Sequence, residues 1–351
     1  MDYQDNNSGS GRSDAQDGGP VGRQGVPVWA AEAPKKKSGW AIFWGIFLGL
    51  SVFANIVFFL MIIGLVVIVA AGQTGMITEK VLVPGPGSSK IAVIRVRGVI
   101  DSAQAADVVE LIQHAQKDHN VKGLILNVDS PGGTISGSDQ IYNELVKYRH
   151  EESRPVVGFM QNLAASGGYY VSVASDEIVA EPTTITGSVG VIMGYLVLQE
   201  LLEGKLGIEP VIIKSGLKKD WPSSFHRPSE EELKYFEDKI ISPAFERFKQ
   251  VVADGRMELN VEDVNRLADG GIYWAEEALR EKLVDRIGYF DDAVERAKQL
   301  AGIDEARVVE YSRPFSFMGL FGAEAKSILK LDPSTIYELS TPQVMYLWSI
   351  H

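Results

Sequence analysis

Residues 40–71, WAIFWGIFLGLSVFANIVFFLMIIGLVVIVAA, carry no charge at all. A helix needs about 20 residues to cross the hydrocarbon core of a bilayer. The run therefore suffices for one tilted span and is too short for two. Only Ser51 and Asn55 within it are clearly polar. A soluble core rarely hides so long an uncharged run. A cleavable signal peptide has a shorter apolar region, about 7–15 residues. The run thus reads as an uncleaved transmembrane anchor. Lys35, Lys36 and Lys37 precede it, and only Glu79, Lys80 and Lys90 follow closely. The positive-inside rule then puts the N-terminus in the cytoplasm and the rest of the chain across the membrane. Residues 1–39 are polar and rich in Gly, Asp, Ser and Gln, so a disordered cytoplasmic tail is expected there.

Beyond the anchor, residues 72–90 contain VPGPGSS and read as a linker. A globular domain is expected over 91–312. Its strands are predicted at 90–100, 123–128, 155–160, 177–180 and 210–215. Its helices are predicted at 101–116, where Asp101 is a capping residue, at 136–149, from Ser166, at 229–256 as one long amphipathic helix, and near 261–268, 275–281 and 291–301. Short buried strands alternating with helices imply an α/β domain with parallel pairing. The tail from 313 to 351 has apolar patches, FSFMGLFG and VMYLW, but no clear pattern.

The formal net charge of -12 argues against a nucleic-acid partner, which would need a basic face. The absence of cysteine excludes disulfides, thiol catalysis and Cys-ligated metal. The five histidines are scattered, with no HExxH and no close pair, so neither a metal nor another cofactor is expected.

Three glycine-marked turns follow strands. In DSPGG, Asp129 to Gly133, Pro131 fixes φ and the glycines free backbone N–H groups to bind an anion or oxyanion. In AASGGYY, Ser166 stands between small residues that leave room for a substrate, Gly167 among them. A serine there is equally a helix N-cap. In TGSVGV, Ser188 is the hydroxyl. A nucleophilic serine needs a base. His226, in WPSSFHRPSEEE, is one candidate. Lys214, Lys218 and Lys219, in IIKSGLKKDW, are the others, and a lysine serves only where burial lowers its pKa from about 10.4.

The order DSPGG, AASGG, TGSVGV, KSGLKKD resembles the S49 serine peptidases, and among them the short single-domain signal peptide peptidases of the SppA type. The resemblance runs over about 90–312 and includes KLGIEPVIIKSGLKKD and LADGGIYWAEEALREKLVDRIGYFDDAVERA. It implies a Clp/crotonase-like spiral of βα units and a Ser-Lys dyad. By resemblance, Ser166 is the nucleophile, Lys219 the general base and Ser188 the hydroxyl that steadies it. Gly133 is an oxyanion donor with Gly132 beside it. Position 218 is also lysine here. Extended neighbours point to opposite sides, so Lys219 alone is expected to face Ser166. The resemblance further implies ring or dome homo-oligomers whose neighbours can share a site, and peptide substrates, chiefly signal-peptide remnants in the membrane. A pocket near Tyr169 and Tyr170 is expected to take small or apolar side chains. The alternatives are a related membrane protease acting on a stomatin-like partner, a crotonase-like acyl-CoA enzyme, and a scaffold without activity.

Overall fold

The computed structural model describes residues 39–73, 77–313 and 343–348. The expected tail over residues 1–38 and the FSFMGLFG patch lie outside the described residues. The chain divides into two units, Met1–Leu65 and Val66–His351.

Helix α1 (Gly39–Gln73) contains the apolar run. Within it Ile42–Val67 is long and apolar enough to cross a membrane, and none of it is buried against protein. Asn55 satisfies its amide locally on the Ser51 carbonyl at 2.7 Å.

The second unit is built on a nine-stranded sheet. Its strands are β1 (Thr78–Val83), β2 (Lys90–Arg97), β3 (Val121–Ser130), β5 (Val156–Ala165), β6 (Glu177–Ala180), β7 (Ile185–Gly187), β9 (Ile272–Trp274), β10 (Arg286–Ile287) and β11 (Arg307–Ser312). The order β1-β11-β2-β3-β5-β6-β10 is parallel except for β1, which lies antiparallel on β11. Residues 78–83, read from the sequence as linker, thus form the sheet's edge.

On the side away from β3, strand β5 belongs to two ladders. Val157–Met160 pair with β6, while Leu163–Ala165 pair with β7. The sheet therefore splits at the carboxyl end of β5, and the chain spirals away through β7 and the antiparallel β9. This mixed α/β spiral is the Clp/crotonase-like fold that the motif order implied.

The strands are apolar on both sides because helices cover both faces. In β2, Ala92, Ile94 and Val96 face one core cluster with α2 (Ser102–Lys117) and α3 (Ile135–Glu152), while Ile91 and Val93 face α9 (Phe290–Ala301). Asp101 caps α2, accepting from the Gln104 amide at 2.8 Å.

Two segments differ from expectation. Residues 210–215 form no strand; Val211 is 81% and Ile213 96% exposed. Strand preference is mostly packing against neighbours, and no described strand lies beside this one. The long helix over 229–256 is interrupted: α5 (Glu230–Phe236) and α6 (Ser242–Gly255) are joined by a wider π turn, Glu237–Ile241, just before Pro243. Proline at the first helical turn has no N–H to donate backwards, so the hydrogen-bond ladder restarts there. The remaining helices are α4 (Gly167–Ser172), α7 (Val261–Leu267) and α8 (Ala275–Arg280).

A second sheet has three antiparallel strands: β4 (Gly132–Thr134), β12 (Gln343–Leu347) and β8 (Ile192–Gly194), with β12 in the middle. No pattern in the tail sequence had suggested β12.

Candidate active site

The site is assembled from the turns that end β3, β5 and β7. In the first, the Ser130 hydroxyl donates to the Gly98 carbonyl at 2.6 Å and accepts from the Gly132 amide at 3.0 Å. Gly132 has φ of +101°, in the region that glycine alone enters freely. A Cβ there would lie 2.0 Å from the Tyr346 carbonyl oxygen and 2.6 Å from the Gly167 nitrogen. The next carbonyl and amide along bracket Ile100, with Ile100 N–H to Gly132 O and Thr134 N–H to Ile100 O both at 2.8 Å.

In the second turn, β5 ends at Ala165 and α4 begins at Gly167. Ser166 between them has φ of 54° and ψ of -114°. Among the described residues, four non-glycine residues have positive φ. Ser153 and Lys282 are at or near helix ends, where such a residue commonly closes the last turn. Ser166, which precedes α4, and Ser188 close no helix. Strain of this kind, about 1–3 kcal/mol each, points to a site that needs the conformation. Ser166 occupies the N-cap position of α4, yet its side chain makes no capping hydrogen bond. That removes the capping reading of the serine, and among the described residues its hydroxyl has no hydrogen-bond partner. Its amide donates to the Gly187 carbonyl at 2.8 Å, and its carbonyl accepts from the Tyr170 amide at 2.8 Å. Gly167 packs against the first turn: a Cβ there would lie 2.6 Å from the Ser138 hydroxyl and 3.0 Å from the Gly133 nitrogen.

The third turn carries Ser188, with φ of 52° and an amide that donates to the Gly271 carbonyl at 2.6 Å. Ser166 and Ser188 together line a cavity of about 510 Å³. Val189, Val191, Ile192, Ile241 and Phe245 make much of the rest of its wall, and among the described residues Asp269 is the one charged residue that lines it. Such a cavity favours apolar side chains.

Strand β12 runs beside this cavity. Leu347 and Trp348 contribute to its wall. The register puts Leu347 opposite Gly132 and Tyr346 opposite Gly133, and the Trp348 amide donates to the Pro131 carbonyl at 2.9 Å. Tyr346 is fully buried, stacked on Tyr170 with ring centroids 5.0 Å apart, and its hydroxyl donates to the Ala244 carbonyl at 2.8 Å. The slot between β4 and β8 is thus a place where an extended chain lies against the glycine turn and reaches Ser166.

Tyr169 and Tyr170 do not line the cavity. Tyr169 is buried with its hydroxyl donating to the Leu283 carbonyl at 3.0 Å. Burial pushes the Tyr170 phenol well above its ordinary range, and the Asp139 carboxylate that accepts from it pushes the same way. Both rings are core.

None of the base candidates lines the cavity. Lys214 pairs with Asp220 at 2.7 Å, and the His226 ring lies 3.9 Å from the same carboxylate. Lys218 lies over the Trp221 and Tyr235 rings, 5.0 and 4.4 Å from their centroids. Lys219 is exposed and makes no ion pair among the described residues. The chain here is turned, with the Lys219 amide donating to the Gly216 carbonyl at 3.1 Å, so the alternation expected of an extended chain does not apply. The structure therefore brings Ser166, Ser188, Gly132, Gly133 and Gly167 together and leaves Lys219 outside the cavity. Among the described residues no group of His, Asp or Glu side chains is arranged to hold a metal ion.

Residues 149–304 match peptidase family S49, and residues 89–180 match the Clp protease family. A protein of Enterococcus faecium assigned as signal peptide peptidase SppA is 40% identical over 246 residues, which is 67% of this chain and 70% of the other. The chain belongs to peptidase family S49. A protein of Synechocystis assigned as a protease is 38% identical over 62% of this chain and 77% of its own. The chloroplastic serine protease SPPA of Arabidopsis thaliana is 31% identical over 65% of this chain and 35% of its own. This S49 peptidase is accordingly a serine protease, and the turns of DSPGG, AASGG and TGSVGV that meet around Ser166 are where its chemistry is sought. Ser130 and Asp269 were not singled out from the sequence, because the backbone amides that each holds at these turns leave no motif.

Proposed function

We propose that the protein is a membrane-anchored endopeptidase in which Ser166 is the acyl-enzyme nucleophile and Lys219 the general base. The observation that carries this reading is the uncommitted Ser166 hydroxyl, held on a strained turn beside a slot that takes an extended chain. Lys219 takes the proton as Ser166 Oγ attacks the substrate carbonyl, and then gives it to the departing amine. Water hydrolyses the acyl-enzyme by the same route. The Gly133 N–H, with Gly132 beside it, receives the oxyanion. Ser188 holds the lysine amine.

Lys219 comes from a neighbouring copy in this reading. It lies on an arm whose Val211, Ile213 and Leu217 are 81%, 96% and 68% exposed, a cluster of apolar side chains of the kind that marks an interaction surface. Packing that arm on a second copy covers it and buries the amine, and burial is what lets a lysine act as a base. Ring or dome assembly follows. The helix Ile42–Val67 anchors the chain with its N-terminus cytoplasmic and its catalytic domain across the membrane. Signal-peptide remnants and other membrane-associated peptides are the substrates, consistent with the apolar wall of the cavity.

The test is hydrolysis of a fluorogenic apolar peptide by the full chain in detergent. Ser166→Ala and Lys219→Ala should each abolish turnover, while Lys218→Ala and His226→Ala should retain most of it. Reassembling the two dead variants one to one should restore about a quarter of the activity if neighbours share sites. No restoration sinks the shared dyad, and a dead His226→Ala beside an active Lys219→Ala sinks the lysine mechanism.

A further inference from the structure

Asp269 begins a turn that ends on the backbone of the two candidate serines. Its Oδ1 accepts from the Gly271 amide at 2.7 Å, closing a tight side-chain-to-backbone ring over Gly270, whose φ is +82°. The Gly271 carbonyl, so aimed, accepts from the Ser188 amide at 2.6 Å. Gly187, the preceding residue, presents its carbonyl to the Ser166 amide at 2.8 Å. One side chain therefore sets the turn against which residues 187 and 188 are held, and these in turn fix Ser166. Ser188 has φ of 52°, a conformation it keeps only while its surroundings impose it. Asp269 itself lines the same cavity as Ser166 and Ser188, while its own carboxylate is exposed to solvent.

We infer that Asp269 is a positioning residue for catalysis, acting through the Gly271 carbonyl on Ser188. The inference rests on the role given to Ser188 above. What matters is the acceptor oxygen at this distance from the backbone, not the negative charge. Asparagine supplies the same oxygen on the same stem. Glutamate keeps the charge but carries it one carbon farther, where it no longer closes the turn.

The full chain in detergent is compared with Asp269→Asn, Asp269→Glu, Asp269→Ala, Ser188→Ala and the Asp269→Glu/Ser188→Ala double variant. Kcat and KM are read with a fluorogenic apolar peptide, and Ser166 reactivity by its labelling rate with a fluorophosphonate. Asp269→Asn should keep kcat within about threefold, while Asp269→Glu should lose about 10²-fold, the cost of a misplacement near 1 Å. KM should stay unchanged in both, since Asp269 is not expected to hold substrate. The double variant should be no slower than Ser188→Ala alone, because both act through one chain of contacts.

An impaired asparagine variant beside a retained glutamate variant would overturn the inference in favour of charge, and equal impairment of the two would overturn it as well. Full additivity would overturn it in favour of independent roles. A wild-type kcat in Asp269→Glu beside an impaired Ser188→Ala overturns it alone. A wild-type kcat in Ser188→Ala overturns the role of Ser188 and this inference with it. Should Asp269→Ala fail to fold, the asparagine and glutamate pair decides the matter unaided.

Discussion

Replacing Gly132 by alanine tests whether the slot and the glycine turn form one catalytic unit. The new methyl would begin 2.0 Å from the Tyr346 carbonyl oxygen and 2.6 Å from the Gly167 nitrogen, both backbone atoms. Ordinary contact needs more than 3 Å, so one or both backbones must retreat by about 1 Å. The same substitution forces alanine to φ of +101°, at a cost of about 1–2 kcal/mol. A displacement of that size beside the reacting atoms is worth about 10²-fold in rate. Gly302 is the control, since its φ is +66° and nothing lies within 4 Å of its Cβ position. Gly302→Ala should lower Tm by a few degrees and leave kcat alone. Gly132→Ala should lower kcat/KM about 10²-fold, with a further loss of Ser166 labelling by a fluorophosphonate. Peptidase activity of Gly132→Ala within about threefold of the parent would refute the placement of substrate along β4.

Tyr346→Ala should lower KM: removing a fully buried ring weakens β12's hold on the slot by about 3 kcal/mol, or about 100-fold in occupancy, and an unchanged KM would mean that substrate does not enter there. Arg256→Ala should lower Tm by about 3–12 °C in a thermal melt, because it removes a buried guanidinium with its contacts of 2.8 and 2.7 Å to the exposed Asp285 and of 2.9 Å to the Lys282 carbonyl. Burial pushes the Asp118 carboxyl up, but the Asn120 amide, Lys90 and the Tyr311 hydroxyl outweigh it and hold it below its ordinary value. A depressed carboxylate adds stability that is present above its unfolded pKa of about 4 and is lost as pH falls through the lower folded value. Asp118→Asn should therefore lower Tm at neutral pH by the equivalent of about 1–2 kcal/mol, with the gap to the parent closing as pH drops below about 4; a gap independent of pH would refute the assignment.

Local chemistry explains what could be read early. The α2 helix was legible because Asp101 caps a regular apolar period, and β2 and β3 were legible because strands covered on both faces carry continuous apolar runs, IAVI and LIL. The strand expected at 210–215 failed for the converse reason. PVIIKS has the composition of a strand, but composition supplies no partner, and Ile213 stands 96% exposed. Ser166 and Ser188 were singled out through their motifs, yet whether Ser166 merely caps a helix rested on a hydrogen bond that only the folded structure could show to be missing.

By itself the sequence determined the features that depend on neighbours along the chain: an uncharged run long enough to span a bilayer, glycines where φ must be positive, and small residues around one serine. Tertiary structure alone decided what depends on distant segments meeting. It set residues 343–347 between β4 and β8, joined Asp269 through Gly271 to Ser188, and left Lys219 outside the cavity that holds Ser166. The physical reason is that such contacts are fixed by where the backbone of remote elements comes to rest. Backbone hydrogen bonds are the same for every residue type, so the residues that make them leave no mark in the sequence.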